Sequence, residues 1–133
     1  MADLSTVEVD TLEAGPELDA LVAEHVLSWK RIEFNGQSTG LVYVNYELPI
    51  NGERKTQADI PYISLNMGSA WLVVEAMQSK GFVFSLYGPG HQVVGDPHWG
   101  CRFSDREFTR GFDRSLTAPL AICRAALKAA TTP

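Results

Sequence analysis

The fold class this sequence predicts is a single α/β domain, a three-layer α-β-α sandwich on a largely antiparallel sheet. Three observations predict it. Apolar residues recur at spacings of three and four around 16–30, 64–80 and 117–128, the period of one helix face. Between those stretches, 41–48 and 82–87 are rich in β-branched and aromatic residues, the signature of strands. Asn51-Gly52 is a strong two-residue hairpin signal, and antiparallel strands need only such short turns. The predicted order is α-β-β-α-β-β-α.

A length of 133 residues suits one core. With 45% hydrophobic and 20% charged residues the chain has the balance of a globular protein, which excludes disorder as a description of the whole. The net charge of −5 argues against a nucleic-acid backbone as main partner, since that calls for a basic face. The N-terminal MADLSTVEVD is acidic and lacks the basic flank and apolar run of a signal peptide. No apolar run approaches the roughly 18 residues of a membrane span. The expectation is a cytoplasmic protein with no membrane partner.

Residues 1–14 are polar and acidic without a period, and are expected to form a flexible tail ahead of a domain over 15–133. The first helix should run from Pro16 to about Lys30. Proline suits its first turn, Glu17 and Asp19 complement the dipole, and Leu18, Leu21, Val22, Val26 and Trp29 form the apolar stripe. The strand over 41–48 follows, turning at Asn51-Gly52 into a polar return segment, Arg54 to Ile60, that reads as an edge. The second helix should start near Ser64, capped by Ser64 or Asn66, and end near Lys80 with Gly81 beyond it. Its buried stripe is Met67, Ala70, Trp71, Val74 and Met77, broadened by Val73.

Phe82–Tyr87 reads as a buried strand, broken by Gly88-Pro89-Gly90. Its partner is Gln92–Val94 or, preferred, Trp99–Ser104 after the turn at Gly95-Asp96-Pro97. Asp105–Ser115 has no clear period and stays unassigned. The last helix begins after Thr117, with Pro119 in its first turn and Leu120, Cys123 and Leu127 as its stripe beside Ile122.

Candidate chemistry is sparse. The three histidines, His25, His91 and His98, form no HExxH motif. His91 and His98 would need Asp96 or Cys101 as a third metal ligand, and exposed loop histidines are the simpler account. No GxSxG surrounds Ser85, and Gly88-Pro89-Gly90 lacks the length and the GK pair of a phosphate loop. The two cysteines, Cys101 and Cys123, show no CxxC spacing. No catalytic residue, metal or cofactor is therefore assigned. Arg102, Arg106, Arg110 and Arg114 recur every four residues, a basic ridge on a helix, though Asp105, Glu107 and Asp113 interleave as salt-bridge partners. A guanidinium presents a planar fork for phosphate or carboxylate, and Tyr87, Trp99, Phe103, Phe108 and Phe112 lie nearby in sequence as stacking surfaces.

Three segments together resemble the Phage ABA sandwich domain family of small phage and prophage proteins. They are Leu18-Asp19-Ala20-Leu21-Val22-Ala23-Glu24-His25-Val26-Leu27-Ser28-Trp29-Lys30; Pro61-Tyr62-Ile63-Ser64 with Ala70-Trp71-Leu72-Val73-Val74-Glu75-Ala76-Met77; and Thr117-Ala118-Pro119-Leu120-Ala121-Ile122-Cys123-Arg124-Ala125-Ala126-Leu127-Lys128-Ala129. The resemblance implies a helix–sheet–helix layered fold and a phage or prophage origin, and carries over no catalytic residue. The expectation is a non-enzymatic accessory protein that binds a host protein or sequesters a small anionic, nucleotide-like defence signal. Its ligand contacts would be Arg102, Arg106 and Trp99, with Tyr87 and His91 on the neighbouring loop. Competing expectations are a strand-addition module using the 41–60 hairpin, and a small hydrolase-type enzyme using His91 or Cys101. The alternating strand at 41–48 also suggests a homo-oligomer.

Overall fold

The computed structural model describes residues 6–33, 44–47, 54–56, 63–91 and 93–131. Its elements are α1 (Thr6–Asp10), α2 (Pro16–His25), β1 (Lys30–Glu33), β2 (Val44–Glu47), β3 (Arg54–Thr56), α3 (Met67–Ser79), β4 (Val83–Tyr87), β5 (Trp99–Ser104), β6 (Thr109–Ser115) and α4 (Ala118–Thr131). The strands form two antiparallel sheets, β1-β2-β3 and β4-β5-β6. The fold is an α/β sandwich, with helices packed on the β4-β5-β6 sheet.

The element order is richer than the predicted α-β-β-α-β-β-α by α1, β1 and β6. Each was hidden for a different reason. α1 is only five residues long, too short to display a period. β1 follows a helix end whose residues keep helical spacing. α2 stops at His25, and Ser28 adopts φ 62°, while backbone bonds from Leu27 N to Val22 O (3.1 Å) and Trp29 N to Ala23 O (2.9 Å) wrap the chain into β1. Val26 and Trp29 thus pack against the core without being helical. β6 carries an inverted pattern: its buried positions are Gly111, Asp113 and Ser115, and its outward ones include Phe112. Alternation of apolar side chains cannot reveal a strand whose inward face is polar.

β2 lies between β1 and β3. Among the described residues Val44–Glu47 is therefore a central strand, and β3, in the return segment expected as an edge, lies at the edge of this sheet with β1 at the other. Asn51-Gly52 lies outside the described residues.

The Asn66 side chain caps α3, accepting from Ser69 N at 3.1 Å. The helix buries Ala70, Val73, Val74 and Met77, which is the i, i+3, i+4, i+7 pattern. Trp71 and Met67, expected in that stripe, sit at its margin. Trp71 is 44% exposed and packs its ring edge-on to Phe84, centroids 5.8 Å apart. β4 is buried on one face only, because Phe84 packs inward and Val83 is exposed.

The most deeply set element is α4. Ala118, Ala121, Ile122, Cys123, Ala125, Ala126, Leu127, Lys128 and Ala129 are all buried, so it has no solvent face along most of its length. It contacts β5 and β6 together with α1, α2 and α3. Small side chains let its backbone come close to the sheet, and the closest approach is at Gly111. A Cβ there would sit 2.0 Å from Ala125 O and 2.8 Å from Ala129 N.

Polar groups buried around α4 are paired. Lys128 donates to Phe112 O (2.9 Å) and to Asp113 Oδ1 (3.2 Å), and forms an ion pair with Asp10. Ser115 Oγ donates to Asp113 Oδ2 at 2.5 Å. Arg124 Nε donates to Leu12 O at 2.8 Å. Residues 6–14, expected as part of a loose tail, are thereby tied to α4, and Val9 is fully buried. On the other side of the core, Asp19 accepts from Ser64 N and Ser64 Oγ accepts from Gly15 N, both at 2.8 Å, which joins α2 to the segment before α3.

Two outcomes follow. Gly111→Ala would drive a methyl group into the α4 backbone, and should destabilise the chain by at least about 3 kcal/mol in urea unfolding; a loss within measurement error would refute the close approach. Burial raises the Asp113 carboxyl pKa, outweighing Ser115 and Lys128, which pull it down. The unfolded chain therefore ionises Asp113 first as pH rises past 3.8. The stability of wild type relative to Asp113→Asn should be greatest below that pH and decline above it, a window checked by unfolding from about pH 3 to about pH 7. A flat difference would contradict the burial.

Candidate ligand-binding cleft

Strand alternation divides the β4-β5-β6 sheet into two unlike faces. Phe84, Leu86, Trp99, Cys101 and Phe103 point to the helices. On the other face the antiparallel register aligns Tyr87 with Gly100 and Gly100 with Arg114, and beside them Ser85 with Arg102 and Arg102 with Phe112. Where this face meets the loop after β4 there is a cleft of about 150 Å³. Tyr87, Gly100, Arg102, Phe112 and Arg114 line it from the sheet, and Gly88, Gly90, His91, Asp96 and His98 from the loop.

The Arg102 guanidinium lies 5.7 Å from the ring centroids of both Tyr87 and Phe112. Cation–π attraction favours that placement, yet no carboxylate among the described residues neutralises Arg102. Its Nε is buried and without a hydrogen-bond partner. The cost of leaving a buried donor unpaired makes this atom the least satisfied in the cleft. The His91 ring stacks on Tyr87, centroids 4.9 Å apart and 28° from parallel, in a turn closed by His91 N to Gly88 O at 3.2 Å.

Asp96 builds the outer wall. Its Oδ1 accepts from His98 N at 3.0 Å and lies 2.6 Å from His98 Nδ1, while its Oδ2 accepts from Arg114 Nη2. One carboxylate thus ties the loop to β6 and offsets the charge of Arg114. Among the described residues Arg102 has no such partner.

Residues 20–127 match the family model of the Phage ABA sandwich domain. The chain belongs to that family. Its fold is similar to that of a phage protein from Bacillus cereus ATCC 14579, known from a crystal structure at 2.0 Å. The TM-score is 0.63 at 19% identity, over 97% of this chain and 99% of that one, a likeness of fold. No curated protein matches the chain.

The cleft of this Phage ABA sandwich domain brings together three of the five residues expected from sequence: Arg102, Tyr87 and His91. Trp99 points to the opposite face, where it packs against the core and stands behind Gly88. Arg106 is exposed in the turn after β5, past the far end of that strand from the cleft. The four-residue arginine spacing is not a helical ridge. Arg102, Arg110 and Arg114 are on strands, where an even spacing also returns to one face. Arg110 pairs with Asp105 and lies 5.5 Å from the Phe108 centroid. Asp105 also accepts from Glu107 N and Phe108 N, both at 2.8 Å, and these bonds hold its carboxyl down at about 2.

Asp96, Gly100, Phe112 and Arg114 were missed as cleft residues. Alternation from Trp99 places Gly100 beside Arg102, but Phe112 and Arg114 join them only once β6 is known to be a strand. Cys101 is fully buried on the helix side, and burial together with Asp113 pushes its thiol pKa far up. It is not available to the cleft as a nucleophile. Cys123 is likewise buried and its thiol raised. Among the described residues no cluster of three metal-ligating side chains occurs, and no helix is long and apolar enough to cross a membrane.

A thiol-reactive dye should therefore label neither cysteine in the native protein and both in denaturant. Rapid native labelling of Cys101 would revive thiol chemistry for this protein.

Proposed function

We propose that this phage-family protein acts by binding, and that its cleft retains a small anionic, nucleotide-like ligand without transforming it. In the setting of an infected cell, such a protein withdraws a host-defence signal from circulation. The observation that carries this reading is Arg102: an uncompensated guanidinium between two aromatic rings, with a buried Nε lacking a partner. An anion supplies the missing acceptor, and the rings favour a planar group beside it. Of the two residues that a catalytic reading would use, Cys101 faces the core and the His91 ring is engaged with Tyr87.

Native mass spectrometry of freshly purified protein tests this, followed by identification of any small molecule released on heating. Intact ligand is expected from wild type. Arg102→Ala should abolish retention while leaving Tm nearly unchanged, because the side chain makes no ion pair among the described residues. Arg106→Ala, outside the cleft, should retain as wild type does. Recovery of a hydrolysed product, or unaltered retention by Arg102→Ala, would defeat the proposal.

A further inference from the structure

Two glycines occupy interior positions of the β4-β5-β6 sheet, Gly100 on β5 and Gly111 on β6. Glycine weakens a strand, and within one it commonly marks a place where another backbone or a ligand comes close. Gly111 has its backbone: α4 would meet a Cβ there at 2.0 Å. Gly100 has none. The three atoms nearest to a Cβ on Gly100 would be side-chain carbons at ordinary contact distances, Tyr87 Cδ2 at 3.4 Å, Tyr87 Cβ at 3.6 Å and Phe112 Cε2 at 3.7 Å. The packing therefore admits a Cβ at van der Waals contact, and alanine would fit without displacing its neighbours. A side chain there would fill the floor of the cleft.

We propose that Gly100 is the seat of the ligand's planar ring: one nucleobase-sized ring lies on the Gly100 backbone between Tyr87 and Phe112, with its anionic group at Arg102. This deepens the binding reading above and rests on it. Size sets the number of rings. A cavity of about 150 Å³ holds a benzene-sized molecule, whereas drug-sized sites begin at about 300 Å³. Charge sets the number of anions, since Asp96 already engages Arg114, and among the described residues no carboxylate pairs with Arg102. The ligand class is therefore a single ring carrying a single phosphate or carboxylate, as in a nucleoside monophosphate. A larger ligand would insert one such unit and leave the rest in solvent.

Calorimetric titration with the four ribonucleoside 5′-monophosphates and with inorganic phosphate tests this in wild type, Gly100→Val and Arg102→Ala, with Gly100→Ala as the milder variant. At least one monophosphate should bind wild type about tenfold or more tightly than phosphate does, and Gly100→Val should weaken it about tenfold or more. The Tm of Gly100→Ala should not fall, and that variant decides the outcome should the valine variant not fold. Phosphate binding as tight as nucleotide binding would overturn the ring seat. So would a Gly100 variant that keeps nucleotide affinity within about twofold while Arg102→Ala loses it, and in both cases the anion site would stand. Absence of all binding by wild type would overturn the site itself and the ring seat with it.

Discussion

The contact between the α4 backbone and Gly111 sets the arrangement of everything around it. A helix normally keeps its axis about 10 Å from a sheet because side chains intervene. Here the absence of a Cβ on β6 and the alanines at 121, 125, 126 and 129 let the two backbones approach directly. With α4 pressed into that position, its remaining sides are free to be covered by α1, α2 and α3, so it is buried nearly throughout. The polar groups caught in this arrangement must find partners. Lys128, Asp113, Ser115 and Arg124 do so among themselves and with Asp10 and Leu12 O, which draws the N-terminal segment onto the core.

That packing consumes one face of the β4-β5-β6 sheet and leaves the other for contact with solutes. On the inner face, strand positions carry Phe84, Leu86, Cys101 and Phe103, all committed to the core. On the outer face the register gathers two guanidiniums and two rings around a glycine. The Asp96 bridge then holds the loop after β4 over one end of that face, converting a flat surface into a cleft. A sheet with both faces covered would have had no room for it. The cleft is thus formed by side chains of the sheet face that the helices leave uncovered.

Much of this was open to sequence reasoning and some was closed to it. α3, α4, β4 and β5 declare themselves through capping residues and hydrophobic period. Arg102, Tyr87 and His91, singled out from the proximity of arginine to aromatic residues along the chain, line one cleft. Arg106 and Trp99 share that proximity and are nonetheless elsewhere, because adjacency along a strand says nothing about which face a residue takes until the register is known. Arg114 and Phe112 were invisible as partners of Arg102 because β6 buries glycine, aspartate and serine. A strand whose inward face is filled by another element's backbone and by a salt-bridge network has no hydrophobic signature.

The sequence by itself determined the fold class and the positions of the main helices, since these follow from local propensity and from period along the chain, while the family was legible only as a resemblance of three segments. Only the tertiary structure decided which residues meet in the cleft and which cation is left unpaired. Those depend on pairings between distant segments, Asp96 with Arg114 and Gly111 with Ala125, and such long-range contacts leave no periodic trace in the order of amino acids.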